Sequence, residues 1–275
     1  MATKKVRKVG LDVAKRFKKN WYVYFSKLFY RTLGIGAITV VMCWVYMHSD
    51  YRDVQVPTTM HGLIGIVMGL LLVFRTNTSY ERWWEGRKSI QTVANVTAFL
   101  SLKVDTCMKA DVASAIKMNL RKFVTGFKKN LEAQTKSLHE IYYKSQMDEI
   151  GRIMFKVRLA EIAGDITSRD AGSIETSLAN LVDASGACDR IKSTPIPIAY
   201  AMHVKICLFV YLLSLPFGLF RDLGLASSLM VMLIFYIAAG IEIISDEIEN
   251  PFAGDPNDLP VDQLTRDIIK NIEID

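Results

Sequence analysis

Residues 32–49, 54–74 and 223–241 contain no Asp, Glu, Lys or Arg over runs of 18, 21 and 19 positions. About 20 apolar residues in a helix match the hydrocarbon thickness of a bilayer, so each run is long enough to cross one. A fourth stretch, 195–220, is also long enough; it carries His203 and Lys205 near its start and is charge-free from 206 to 220. We read it as a further span; three crossings would put the termini on opposite sides, and four keep them together. The alternative is a soluble core of helices that are apolar all round. Aromatic placement argues against that. Trp21, Trp44, Trp83 and Trp84, with Tyr22, Tyr24, Tyr30 and Tyr46, lie at the ends of the first two runs, where amphipathic rings belong at headgroup depth. The 51% hydrophobic content and the mean hydropathy of +0.20 agree with a membrane chain.

Lys and Arg in the flanks predict orientation, because cytosolic loops retain them. Nine lie within residues 1–27, whereas 48–59 holds only Arg52, and Arg75, Arg82, Arg87 and Lys88 follow the second run. Both termini and the middle of the chain are therefore expected in the cytosol. The net charge of +6 is accounted for by this topology and gives no sign of a nucleic-acid partner. The expected organisation is a basic cytosolic segment at 1–27, transmembrane helices 1 and 2 at 28–75, a helical cytosolic domain at 76–194, transmembrane helices 3 and 4 at 195–249 and a cytosolic tail at 250–275. The fold class is all-α. The basic start could imitate a signal peptide, but its apolar run begins late, is too long and lacks small-residue cleavage geometry, so it reads as a retained first span.

Residues 4–20 mix basic and apolar side chains, which suits either a helix lying on an anionic leaflet or a solvated tail. In the second run Gly62, Gly65 and Gly69 form a small-residue face that another helix can approach closely. Ile66, Leu70 and Phe74 fall at i, i+4, i+8 on the adjacent face; by periodicity alone this stripe faces lipid or bundle core. With no proline after Arg75, the second helix is expected to continue to about Leu102. Further helices are expected across 111–192, with apolar stripes at Leu120, Phe123, Val124, Phe127 and Leu131 and at Ile150, Ile153, Met154, Val157, Leu159 and Ile162. Ser168 or Asp170 is expected to cap the last of them, and the Pro195 and Pro197 segment to end it. At the end of the fourth run Glu242, Asp246 and Glu249, with Glu247 alongside, can pair with Arg and Lys, bind a cation or face water.

Known reaction chemistry finds no support. The histidines His48, His61, His139 and His203 are scattered, and Cys43, Cys107, Cys188 and Cys207 show no CxxC spacing. Hence no catalytic residue, no metal site and no cofactor is expected, the cysteines are read as buried small apolar residues, and enzyme is the disfavoured class. No internal repeat or broken-helix pair points to a secondary transporter. A channel or a membrane-anchored interaction protein remains.

The segment Phe74-Arg75-Thr76-Asn77-Thr78-Ser79-Tyr80-Glu81-Arg82-Trp83-Trp84-Glu85-Gly86-Arg87 resembles the signature that follows the second span in bacterial bestrophins. Ser193-Thr194-Pro195-Ile196-Pro197-Ile198-Ala199-Tyr200 resembles that family's entry to the third span, and Ile248-Glu249-Asn250-Pro251-Phe252 through Leu259-Pro260 its exit from the fourth. Arg75, Asn77, Arg82, Trp83 and Trp84 carry the signature. The resemblance implies a homopentameric channel in the bacterial inner (plasma) membrane, with four spans and a helical cytosolic domain in each subunit, around a central pore that passes small inorganic ions passively. It also implies a hydrophobic neck at Ile66, Leu70 and Phe74, which can gate by excluding water, and a cytosolic constriction for which Ile174 is the nearest candidate. Animal members follow Asn-Pro-Phe with a dense acidic run that clasps calcium; here only Asp255 and Asp258 follow, so no calcium activation is expected. Chloride and other anions are slightly favoured as cargo. The alternatives are a monovalent cation (sodium) channel of the same architecture and a non-conducting membrane scaffold.

Overall fold

The computed structural model describes residues 25–26, 28–49, 57–255 and 257–272. The expected basic segment, apart from Phe25 and Ser26, lies outside the described residues, as do Trp21, Tyr22, Tyr24 and Arg52. Among the described residues every regular element is helical. The order is α1 (Leu28–His48), α2 (Thr58–Cys107), α3 (Ala110–Glu132), α4 (Lys136–Ile162), α5 (Ser168–Ser193), α6 (Ile198–Leu223), a 3₁₀ turn (Gly224–Ala226), α7 (Ser227–Glu249) and α8 (Val261–Ile272). Stretches long and apolar enough to cross a bilayer lie at Leu28–His48, within Thr58–Cys107 and across Ile198–Glu249. The last is broken where Gly224 takes φ 52°, a backbone that side chains other than glycine's rarely tolerate, separating helices of 26 and 23 residues.

The chain packs as two units, Met1–Tyr80 with Ile196–Glu247, and Glu81–Pro195 with Ile248–Asp275. In the first, α2 starts directly behind Pro57, whose missing N–H costs a helix start nothing. The helix then runs for 50 residues because nothing in it removes a backbone donor, reaching Cys107 rather than the expected Leu102. Its buried face in this unit is His61, Met68, Leu72, Arg75 and Ser79, and the small core is completed by Ile35, Val204, Leu208, Leu212, Leu215, Val231 and Ala238. Most other apolar side chains of α1, α2, α6 and α7 remain exposed, as expected of helices meeting lipid or other copies of the chain. Of the small-residue face, Gly65 alone meets a neighbouring helix: a Cβ there would lie 2.6 Å from the Tyr211 Oη, while Gly62 and Gly69 are open. At Gly218 an added Cβ would lie 2.7 Å from the Nδ1 of buried His61, whose Nε2 is 3.0 Å from the Ser214 carbonyl.

The second unit holds a conventional core. The α3 stripe Leu120, Phe123, Val124, Phe127 and Leu131 is fully buried as expected, with Phe123 and Phe127 stacked at 6.4 Å. On α4 the expected stripe divides: Ile150, Ile153 and Val157 are buried, but Met154, Leu159 and Ile162 lie on the exposed side, because the sequence marks two apolar faces there and the core covers one. The cap of α5 is Thr167, not Ser168 or Asp170. Its Oγ1 accepts from the Asp170 amide at 3.1 Å, and Asp170 is left to pair with Lys103 at 2.7 Å. The tail contributes α8, which no sequence expectation included; its Val261, Thr265, Ile268 and Ile272 form a buried face at helical spacing.

All four cysteines are free; Cys43 and Cys188 are buried, Cys107 and Cys207 only partly so. Burial pushes the Cys188 thiol up to about 12. At pH 8 its reactive thiolate is then on the order of one molecule in ten thousand. Mass spectrometry after a maleimide pulse at pH 8 should find Cys188 unlabelled in the folded protein and fully labelled in denaturant. Labelling without denaturant would mean that the α5 core opens readily.

Candidate functional site

On α2 the side chains at 66, 70 and 74 stand one turn apart on a face opposite the buried positions. Ile66 is 72% exposed, Leu70 53% and Phe74 54%, while Met68 and Leu72 between them are buried. The helix thus offers an unbroken apolar ridge that its own subunit does not use. Ile174 differs. It is 0% exposed, packed in the core of the second unit, so its side chain has no open face from which to line a path, and the expected constriction at Ile174 is set aside.

The residues following the ridge carry a dense set of polar contacts. Arg75 is 0% exposed and ion-pairs with Asp246, with Glu242 Oε1 3.9 Å away. Lys205 Nζ reaches the same two carboxylates, at 3.2 Å from Glu242 and 2.5 Å from Asp246. Thr76 Oγ1 meets Ser245 Oγ at 2.9 Å. Of the three roles open to the acidic face, the structure selects pairing with Arg and Lys for Glu242 and Asp246, two cations balancing two carboxylates. Glu247 is buried, and Glu249 contributes its carbonyl to Arg82.

Arg82 is a three-way tie. Its Nε donates to Glu249 O at 3.0 Å, Nη1 to Thr194 O at 2.9 Å and Nη2 to Ile191 O at 2.6 Å. These carbonyls close the C-terminal ends of α7 and α5, where helix oxygens lack intrahelical partners and favour positive charge. Trp83 also departs from expectation. It packs against the second unit's core and donates its indole N–H to Asn257 O at 3.1 Å rather than standing in an interface belt, whereas Trp84 and Trp44 are exposed. Asn77 is exposed.

In the 250–260 loop, Asp258 Oδ2 accepts from the amides of Gly254 at 2.5 Å and Asp255 at 2.7 Å, and Gly254 takes φ 98°. This acid is thus committed to holding the loop's backbone. Phe252, Pro251 and Leu259 of the same loop come within 3.1, 3.3 and 3.5 Å of where a Cβ on Gly86 would stand, which is why α2 is bare there. Asp258→Ala leaves two amides without their acceptor and should lower stability by about 1–3 kcal/mol in a denaturant or thermal titration. Undiminished stability would show that solvent replaces the carboxylate at no cost.

Residues 23–274 match the family model described as bacterial and fungal bestrophin protein. A voltage-dependent anion channel-forming protein of Nostoc sp. is 34% identical over 93% of this chain and 92% of its own length. One of Synechocystis sp. is also 34% identical, over 86% of this chain and 81% of its own. The solved structure of a bacterial bestrophin homologue from Klebsiella pneumoniae superposes with a TM-score of 0.81 at 22% identity, covering 89% of this chain and 96% of that one. At that identity the likeness speaks for the fold.

Proposed function

The chain belongs to the bacterial and fungal bestrophin family, a family of membrane channels, and from that premise we propose that it forms a homopentameric channel for small anions, chloride among them, with Ile66, Leu70 and Phe74 as its neck. The observation that carries this reading is the exposed ridge on α2. Three bulky apolar side chains one turn apart, left open by their own subunit, are what five helices around an axis need to build a narrow, water-excluding ring. In this reading α1, the first half of α2, α6 and α7 are the four spans, and both termini lie in the cytosol beside α3, α4, α5 and α8. The membrane is the bacterial inner membrane. Chemistry plays no part, since ions pass without reacting.

Anion preference is supported by the anion-channel names of the Nostoc and Synechocystis relatives and by the pairing of Glu242 and Asp246. Acids neutralised by Arg75 and Lys205 have little field left with which to attract cations. The test is the reversal potential of purified pentamers in planar bilayers under a salt gradient. We expect it to move toward the chloride potential. Movement toward the cation potential would make this a sodium pathway of the same build, and absence of current from verified pentamers would favour a scaffold.

A further inference from the structure

We infer that Arg75, Glu242, Asp246 and Lys205 form a charge-balanced clamp that positions the inner end of the neck, an inference that rests on the channel reading. Arg75 is the residue next to Phe74, about 100° further round α2, so a force that fixes the direction of Arg75 fixes that of Phe74. The guanidinium is fully enclosed. An enclosed charge has few alternative places to go, because leaving its carboxylates would strand it in a low-dielectric setting.

Three contacts act together. Arg75 binds Asp246 and approaches Glu242 on the next turn of α7. Lys205 on α6 holds the same pair of acids from the other side, at 3.2 and 2.5 Å. One residue on from Arg75, the Thr76 hydroxyl meets Ser245 at 2.9 Å and its own Leu72 carbonyl at 2.8 Å. Helix α2 is therefore pinned in rotation at the turn where the neck ends. Higher up, α2 meets its neighbours through the His61 contact with the Ser214 carbonyl at 3.0 Å, through apolar side chains and through Gly65, and apolar contacts are less directional than ion pairs. The clamp's members are positioning residues: they act through Phe74 and need not meet the ion.

The variant of choice is Asp246→Asn, which keeps the size of the side chain and removes one charge; Lys205→Gln unbalances the same cluster from its more exposed member. Two measurements on the full pentamer read the result: hydrogen–deuterium exchange of α2 peptides spanning 66–78, and chloride efflux from vesicles. With the clamp loosened, exchange in that segment should quicken about tenfold while the 90–104 segment stays unchanged, and efflux should rise about fivefold, a usual size for coupling between sites. Combining Asp246→Asn with Lys205→Gln rebalances the cluster as Arg75 with Glu242 and should bring both readouts back toward wild type, which two independent structural losses would not do. Unchanged exchange at 66–78 in both single variants would overturn the clamp. Faster exchange with unaltered efflux would overturn its role in the neck. Faster exchange in a protein whose wild type passes no ions would uphold the clamp and refute the channel instead.

Discussion

Ile66→Ala, Leu70→Ala and Phe74→Ala, combined in one chain, should raise ion flux per pentamer on the order of tenfold without preventing assembly. A ring of large apolar side chains resists ions by making a short stretch of the path unfavourable for water, and an ion cannot enter without its hydration. In the proposed neck, truncation to alanine would widen the ring at three successive turns in every subunit. Lowering the barrier by only about 1.4 kcal/mol gives tenfold in rate. Assembly should survive because none of the three side chains contributes to the subunit's own core. Stopped-flow efflux from vesicles with a matched pentamer count checks the magnitude. Flux equal to wild type in a folded pentamer would remove the neck from α2 and favour the scaffold.

Arg82→Ala should be among the most destabilising single substitutions outside the core, costing about 2–4 kcal/mol. The guanidinium satisfies three carbonyls at the ends of two helices. Bonds to a charged donor are worth more than neutral ones, though partial solvent access lets water replace some of the loss. For a chain of this size such a cost corresponds to roughly 5–15 °C in Tm, measurable by differential scanning fluorimetry of the detergent-purified protein. Arg82→Lys should recover less than half of the deficit, because one ammonium on a flexible stem cannot reproduce a planar fork that bonds in three directions. Full recovery with lysine would mean that positive charge at the helix ends matters and the fork does not.

The contrast between Arg75 and Arg82 illustrates what a linear signature conveys. In sequence both are basic residues behind an apolar run and count equally toward orientation. In the structure one is enclosed among side-chain carboxylates, and the other ties backbone oxygens together. Nothing in their spacing separates these roles, because the partners come from residues more than a hundred positions away. Trp83 follows the same pattern: its place near a membrane run suggested an interface ring, and its position beside Asn257 decided otherwise.

The sequence by itself determined the apolar runs, the uninterrupted second helix, the buried stripe of α3 and the break at Pro195 and Pro197. These depend on local properties, namely charge content, the helical period and the absence of a proline N–H, which hold wherever the segment ends up. Tertiary structure alone decided which face of α4 is covered, that Thr167 rather than its neighbours caps α5, that the tail folds as α8 against a core, and that Ile174 is enclosed within it. It also decided the pairing of Glu242 and Asp246. A carboxylate facing water and one facing a cation on another helix are identical in sequence, and only the path of the chain brings Arg75 and Lys205 to the same two acids.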